Sequence, residues 1–256
     1  MTGSRPSITT TDLTKRYGDL TAVSDVTLAV DGPRIVGVAG PNGAGKTVLT
    51  RLLLGLVPPT SGTARIDGVE TASLGPADRA RIGYMPQHTA VYDDLTVRQN
   101  VRFFADLYGV EDRPAAVRRI LQFVDLWDRR DDRIGTLSGG MVRRTSLAAA
   151  LVHDPEIIFL DEPTVGLDPR LRATMWETFR DRRNDGALIV VSTHYLGEVH
   201  RCDRVLFLRD GAVLAFDTPE SFLERTGTTD LEAAFLALLD RPSTAGGRPT
   251  DDAGGP

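Results

Sequence analysis

The chain has 256 residues, of which 41% are hydrophobic, so it can bury the core of one large domain or of two small ones. Its formal net charge of −5 gives no basic excess, and no nucleic-acid partner is expected. The single cysteine, Cys202, excludes an internal disulfide framework and a cysteine-based metal site. Residues 1–12 lack a signal-peptide pattern, and no apolar run reaches the roughly eighteen residues of a membrane span. We therefore expect a chain that does not itself cross a membrane.

The first predicted elements are a strand, a glycine loop and a helix, in that order. Residues 27–30 alternate between polar and apolar, and residues 34–39 form a short apolar run that ends at Gly40. Beyond the loop, residues 48–56 are apolar at helical spacing and stop at Gly55.

The later elements indicate an α/β fold. Residues 157–160 and 188–192 are β-branched, apolar runs separated by a charged segment that suits a crossover helix. Residues 204–208 and 212–215 flank Asp210-Gly211, a tight-hairpin dipeptide. The sequence predicts a mostly parallel sheet with helices on both faces and an antiparallel β edge.

Three further segments complete the predicted organisation. Residues 89–151 show helical spacing without a convincing strand and are interpreted as an inserted helical subdomain. The core then comprises about 8–88 and 152–225, and a last amphipathic helix spans about 230–240. Residues 1–7 and 241–256 are expected to be disordered, since the polar tail cannot offset the entropy of ordering.

A phosphate-binding loop follows the predicted strand and opens the helix. Its residues are Gly40, Pro41, Asn42, Gly43, Ala44, Gly45, Lys46 and Thr47. Glycines let main-chain N–H groups turn toward phosphate oxygens, and the helix N-terminus adds partial positive charge. Lys46 would reach the outer phosphates, and Thr47 would bind Mg²⁺. The alternative interpretation is an ordinary glycine turn.

Two carboxylates, Asp161 and Glu162, come directly after the apolar run 157–160. Strand ends of this kind lie beside the phosphate loop in such folds. Asp161 would hold Mg²⁺, and Glu162 would orient or deprotonate the attacking water. Alone, such a pair is usually solvated or caps a helix; its position relative to the loop favours the catalytic interpretation.

The segment from Leu137 through Ser138, Gly139 and Gly140 to Met141 resembles the signature motif of the ABC ATPase family. Ser138 can cap a helix whose first N–H groups offer a second anion site. The resemblance covers residues 8–224. It implies a phosphate-loop ATPase that binds ATP and Mg²⁺ and forms a head-to-tail dimer.

The same resemblance assigns the remaining candidate residues. Tyr17 resembles the aromatic that stacks on adenine, and Gln87 the glutamine that touches Mg²⁺ and the membrane partner. Asp168 resembles the aspartate of the loop that communicates across the dimer beside the nucleotide, and His194 the histidine that contacts the γ-phosphate. Each has an ordinary alternative: Tyr17 could be a core tyrosine and Asp168 part of an exposed turn. Gln87 and His194 could be polar side chains without a functional role.

Two residues depart from the family pattern. Val48 stands beside the α-phosphate where a second threonine or serine is usual, so only its main-chain N–H can contribute. Met141 replaces the glutamine that usually ends the signature. Neither change removes a group that faces the outer phosphates.

The family resemblance implies a motor subunit that works with a separate polytopic membrane permease, at the cytoplasmic face of the membrane. The second ATPase subunit is expected to be another copy of this chain. Residues 163–169 and 230–235 most resemble drug and multidrug exporter subunits. The alternatives are a soluble ABC ATPase acting on nucleic acid or ribosomes, and a regulatory nucleotide-binding module. The transported substrate is not encoded in this chain.

Overall fold

The computed structural model describes residues 5–88 and 90–239 and contains, within them, ten strands and eight α-helices. The strands are β1 (Ser7–Tyr17), β2 (Leu20–Asp31), β3 (Arg34–Ala39), β4 (Ser61–Ile66), β5 (Val69–Glu70), β6 (Ile82–Met85), β7 (Ile157–Asp161), β8 (Leu188–Thr193), β9 (Arg204–Arg209) and β10 (Ala212–Asp217). The helices are α1 (Lys46–Leu53), α2 (Pro76–Arg79), α3 (Val97–Leu107), α4 (Arg113–Phe123), α5 (Gly139–Leu151), α6 (Pro169–Asn184), α7 (Pro219–Thr226) and α8 (Leu231–Leu239).

The central sheet has six strands in the order β10-β9-β3-β8-β7-β6. Its strands pair in parallel except for the hairpin of β9 and β10, which closes one edge as predicted. The parallel strands are buried on both faces because helices cover one face and α1 with the second sheet covers the other, which is why they read as continuous apolar runs. The predicted fold class is confirmed.

Alternate residues of these strands enter two different cores. Ile158 and Ile189 pack in a cluster with Trp176 of α6 and with helices α3 to α5. Phe159 and Val190 face the opposite side, in a cluster with α1 and the second sheet. The period of two along each strand thus fixes the carboxyl ends of β3, β7 and β8 between the two layers.

The second sheet, of order β2-β1-β4-β5, is antiparallel and largely absent from the sequence-based prediction. Strand β1 lacks a regular alternation of buried and exposed residues because its pairing with β2 shifts register and Asp12 has a φ of 49°. It begins at Ser7, and the main-chain oxygen of Pro6 accepts a bond from Gly32 N–H at 2.8 Å. The expected disorder of residues 1–7 is therefore wrong for Pro6 and Ser7.

Helices α3, α4 and α5 occupy the segment interpreted as the helical insert. Side chains of Thr96, Asp112 and Ser138 cap their N-termini, each accepting a main-chain N–H bond. The last helix, α8, matches the predicted amphipathic segment, while the tail 241–256 lies outside the described residues. Among the helices described, none combines the length and apolarity needed to cross a membrane.

The helical segment is joined to the central sheet through a stacked pair of rings. Tyr108, after α3, stacks on His153, after α5, with ring centroids 3.7 Å apart and 12° between planes. Nε2 of His153 lies 3.2 Å from the oxygen of Ile82 in β6. The pKa of His153 is lowered to about 4, chiefly by burial, which outweighs the raising effects of the Ile82 bond and Asp154; Arg182 adds the smallest effect, a lowering one.

This lowered pKa predicts a pH-dependent stability. Between pH 6.5 and 4 the unfolded chain binds a proton that the folded chain does not, so stability falls as pH falls. From pH 7 to pH 5 we expect His153 to account for a loss of about 2 kcal/mol in the free energy of unfolding. Urea titrations of wild type and His153→Phe at both pH values measure it. An equal pH dependence in the two proteins would contradict the assignment.

Close packing at Gly83, in β6, predicts a second stability effect. A Cβ at this position would lie 2.5 Å from the oxygen of Ala150 and 2.7 Å from Cγ of Pro155. Gly83→Ala should therefore lower the free energy of unfolding by about 1–3 kcal/mol. Gly197→Ala is the matched control, because a Cβ there meets nothing within 4 Å. Equal urea midpoints for the two variants would disprove the packing argument.

Candidate functional site

The predicted phosphate loop wraps closely over β2 and β9 on one side. A Cβ on Gly45 would lie 2.4 Å from the oxygen of Ala22, and one on Gly40 2.2 Å from the oxygen of Leu208. Gly45 also has a φ of 99°, in the left-handed region that favours glycine, and it caps α1. Around Gly43 there is open space. The first N–H groups of α1 lack intrahelical partners, so the loop can present them to an anion.

Lys46, the first residue of α1, is buried within this loop. Its Nζ donates to the oxygens of Gly40 at 2.9 Å and Pro41 at 3.0 Å and lies 3.9 Å from Oε1 of Glu162. Burial lowers the pKa of Lys46, while Glu162 and Asp161 oppose that shift. Phosphate oxygens are stronger acceptors than carbonyls, so a phosphate can draw the same ammonium group outward.

Asp161 ends β7 and is 1% exposed. Its Oδ1 accepts a bond from the hydroxyl of Ser192, the residue opposite it in β8. Its Oδ2 is buried and has no hydrogen-bond partner among the described residues. An unpartnered carboxylate oxygen is costly unless a cation or a donor completes it. This donor chemistry suits a divalent cation that prefers oxygen ligands.

Glu162 follows Asp161 and is only 7% exposed. Oε1 faces Nδ1 of His194 at 2.9 Å, and Oε2 accepts a bond from Nε2 of Gln87 at 3.3 Å. Its main-chain N–H donates to Oγ of Ser192 at 3.1 Å. Its φ of 52° is uncommon for a residue with a side chain and turns the chain sharply at the strand end. The carboxylate is thereby aimed at the phosphate loop.

Arg143 on α5 holds this turn in place and was not found by sequence reasoning. Its guanidinium donates to four main-chain oxygens, those of Gln87 (3.4 Å), Asp161 (3.2 Å), Pro163 (3.2 Å) and Glu162. The sequence signal was a pair of arginines inside a helix with no other charged residue. Because α5 begins at the signature motif, Arg143 links that motif to the strand end.

Three further predicted residues, Ser138, Asp168 and Tyr17, have local partners of their own. Ser138 is exposed and caps α5 through a 3.4 Å bond from Met141 N–H. Asp168 caps α6, and the pKa of its carboxyl is lowered chiefly by the hydrogen bond from Leu171 and further by that from Arg170, against an opposing effect of desolvation.

The ring of Tyr17, 48% exposed, faces Nζ of Lys15 at 5.0 Å. No described contact joins Tyr17, Ser138 or Asp168 to Lys46 or Glu162. The structure therefore brings Lys46 and its loop partners Gly40 and Pro41 together with Gln87, Asp161, Glu162 and His194.

Comparison with known proteins decides the family. A family model described as ABC transporter matches residues 23–165. The chain belongs to the ABC transporter family. The resemblance stated from the sequence is confirmed, and with it the general function of an ABC transporter ATPase.

Two curated relatives illustrate the match. The Nod factor export ATP-binding protein I of Burkholderia lata is 39% identical over 213 residues, covering 82% of this chain and 70% of that protein. The probable multidrug ABC transporter ATP-binding protein YbhF of Escherichia coli K12 is 34% identical over 235 residues. That alignment covers 89% of this chain but only 41% of YbhF.

Solved structures of ABC proteins have the same fold as this ABC ATPase. An ATP-binding subunit of an ABC transporter superposes with a TM-score of 0.84 and 28% identity, covering 91% of this chain and 99% of that one. A dimeric ATP-binding cassette in a post-hydrolysis state with ADP and Pi superposes with a TM-score of 0.77 and 26% identity, covering 82% of this chain and 98% of that one. A bacterial Atm1-family exporter with ATP bound superposes with a TM-score of 0.81 and 27% identity, covering 95% of this chain and 43% of that one.

Ser192 supports both carboxylates, which predicts an effect on hydrolysis. Ser192→Ala removes the donor to Asp161 and one acceptor for the Glu162 N–H, so both groups lose a fixed partner. We expect the ATPase rate to fall about tenfold, equivalent to ~1.4 kcal/mol. Ser146→Ala, a buried serine in α5, is the matched control and should keep its rate. Equal rates for both variants would exclude a supporting role for Ser192.

Proposed function

We propose that this chain is the ATP-hydrolysing motor subunit of an ABC exporter, working with a separate membrane-spanning permease at the cytoplasmic face of the membrane. The observation that carries the proposal is the surrounding of Glu162. Gln87, His194 and Lys46 converge on its carboxylate from three different elements, beside the phosphate loop.

Hydrolysis is proposed to use Glu162 as the residue that orients and activates water. A general base must lie within hydrogen-bond reach of the water it activates, and this carboxylate projects from a fixed turn toward the loop that would hold the γ-phosphate. His194, which faces the same carboxylate, would contact the γ-phosphate. Lys46 would neutralise charge on the outer phosphates, and Gly40 to Val48 would cradle them through main-chain N–H groups.

The residues proposed to hold Mg²⁺ are Asp161, Thr47 and Gln87. The unpartnered Oδ2 of Asp161 supports this assignment, since a hard cation supplies the partner that the protein lacks. When bound, Mg²⁺ would offset negative charge on the phosphate oxygens. Ser192 would keep the Asp161 carboxylate oriented for this task.

The active form is proposed to be a head-to-tail dimer of two copies of this chain. Each ATP would lie between the phosphate loop of one copy and Ser138, Gly139 and Gly140 of the other, with Tyr17 stacked on adenine and Asp168 in the loop between the two sites. The exposed position of Ser138 at the N-terminus of α5 supports this role, because that end is free to meet an anion. A related cassette has been solved as a dimer with ADP and Pi.

The membrane partner is proposed to dock beside Gln87 and α3. Tyr92, Phe103 and Leu107 are exposed there, and the rings of Tyr92 and Phe103 meet edge to face at 5.3 Å. Export as the direction rests on the relatives named for Nod factor export and multidrug transport. Affinity capture from gently solubilised membranes tests the partnership. Recovery of a polytopic membrane protein supports it, and recovery of ribosomes or nucleic acid instead would contradict it.

The catalytic assignment predicts a separation of binding from hydrolysis. Glu162→Gln keeps the shape of the side chain but removes its basicity, so we expect ATP turnover to fall at least about 100-fold while ATP binding persists. The variant should form an ATP-dependent dimer, measured by size-exclusion chromatography. Glu177→Gln, on the exposed side of α6, is the matched control. Turnover by Glu162→Gln at the wild-type rate would refute the role.

A further inference from the structure

A buried carboxylate outside the site described above connects the two segments that flank it. The first segment, residues 163–168, leaves Glu162 and leads into α6. The second, the 3₁₀ turn Leu196–Arg201, follows His194. Glu198 lies in the second segment and is only 6% exposed. Its Oε2 accepts a 2.8 Å bond from the hydroxyl of Thr164 in the first segment, and Thr164 is 1% exposed.

Arg172 of α6 completes the connection from the other side. Its Nε lies 3.3 Å from Oε1 of Glu198, within ion-pair distance. Its Nη2 donates to the oxygen of Leu167 at 3.4 Å, and its guanidinium carbon lies 5.7 Å from the ring centroid of Tyr195. Arg172 therefore contacts both segments, as Glu198 does.

These contacts reach the candidate catalytic residues through the chain itself. The segment carrying Thr164 begins directly after Glu162. Tyr195 directly follows His194, and the centroids of their two rings lie 4.1 Å apart. A displacement of either segment would change the distance between the Glu162 carboxylate and the imidazole of His194. Burying a charged side chain is costly, and packing alone would be served as well by an apolar residue. A buried carboxylate that belongs to one segment and is hydrogen-bonded to the other is suited to fixing their relative position.

We propose that Glu198 is a positioning residue that holds Glu162 and His194 in register, with Thr164 and Arg172 as its partners. The inference rests on the proposed function, because it concerns the geometry of the same hydrolysis site. Glu198 would act through Thr164 and Arg172 and not on the reacting atoms. Its contribution is to make the residue that activates water and the residue that meets the γ-phosphate move together.

The test is a set of variants assayed for steady-state ATP hydrolysis in the full-length chain. Thr164→Val removes the hydroxyl at nearly constant volume, Glu198→Gln removes the charge at constant shape, and Thr164→Ser restores the hydroxyl. We expect kcat to fall at least about fivefold in Thr164→Val and in Glu198→Gln, with less than about a twofold change in KM for ATP. Thr164→Ser should recover most of the rate. The double variant should be no slower than the slower single, because both changes remove one shared interaction.

Two results would overturn the inference. One is wild-type kcat in Thr164→Val and Glu198→Gln. The other is a fall in kcat that is accompanied by weaker ATP binding and a lower melting temperature, since a residue with a purely structural role would affect all three. Glu162→Gln in the same assay distinguishes the two proposals. If it is inactive while the Thr164 and Glu198 variants are unaffected, only the positioning role fails; if it hydrolyses ATP at the wild-type rate, the proposed function fails.

Discussion

The burial of two adjacent carboxylates at the end of β7 is the constraint on which the site depends. Asp161 and Glu162 are both almost inaccessible, and neighbouring buried negative charges are unfavourable unless other groups compensate them. The ammonium group of Lys46 lies close to Glu162, and the hydroxyl of Ser192 donates a hydrogen bond to Asp161. The guanidinium of Arg143 donates to the main-chain oxygens around them. These three come from α1, β8 and α5, so balancing two charges requires elements distant in sequence to meet at one point.

The sequence predicted those parts of this arrangement that are carried by short, continuous patterns. Strand, glycine loop and helix follow each other directly around Lys46, and the acidic pair directly follows an apolar run, so both were recognised together with the parallel sheet. Gln87 and His194 were placed by the family resemblance, and the structure brings both to Glu162. The assignment of Tyr17, Ser138 and Asp168 to nucleotide stays a prediction, since their partners would be the nucleotide or a second copy of the chain.

The parts that could not be predicted depend on contacts without a local pattern. Arg143 bonds to main-chain oxygens, which every residue possesses, so nothing in its partners' side chains signals the pairing. Thr164 and Glu198 meet through the fold, although a spacing of 34 residues separates them. In β1, shifts of register and the left-handed Asp12 break the period of two by which a half-buried strand is recognised.

The choice of main-chain acceptors by Arg143 also bears on how this region can change in evolution. Substitutions in the loop from Asp161 to Pro163 alter side chains but leave the carbonyl oxygens that the guanidinium engages. The anchor itself therefore places no demand on the side chains of the loop, and the demand on Asp161 and Glu162 comes from their carboxylates. Replacement of Arg143 itself has no such tolerance, because no single substitution in the loop could restore several main-chain bonds at once. Selection for this anchor should accordingly act on the helix position, whereas selection on Asp161 and Glu162 follows from their carboxylates.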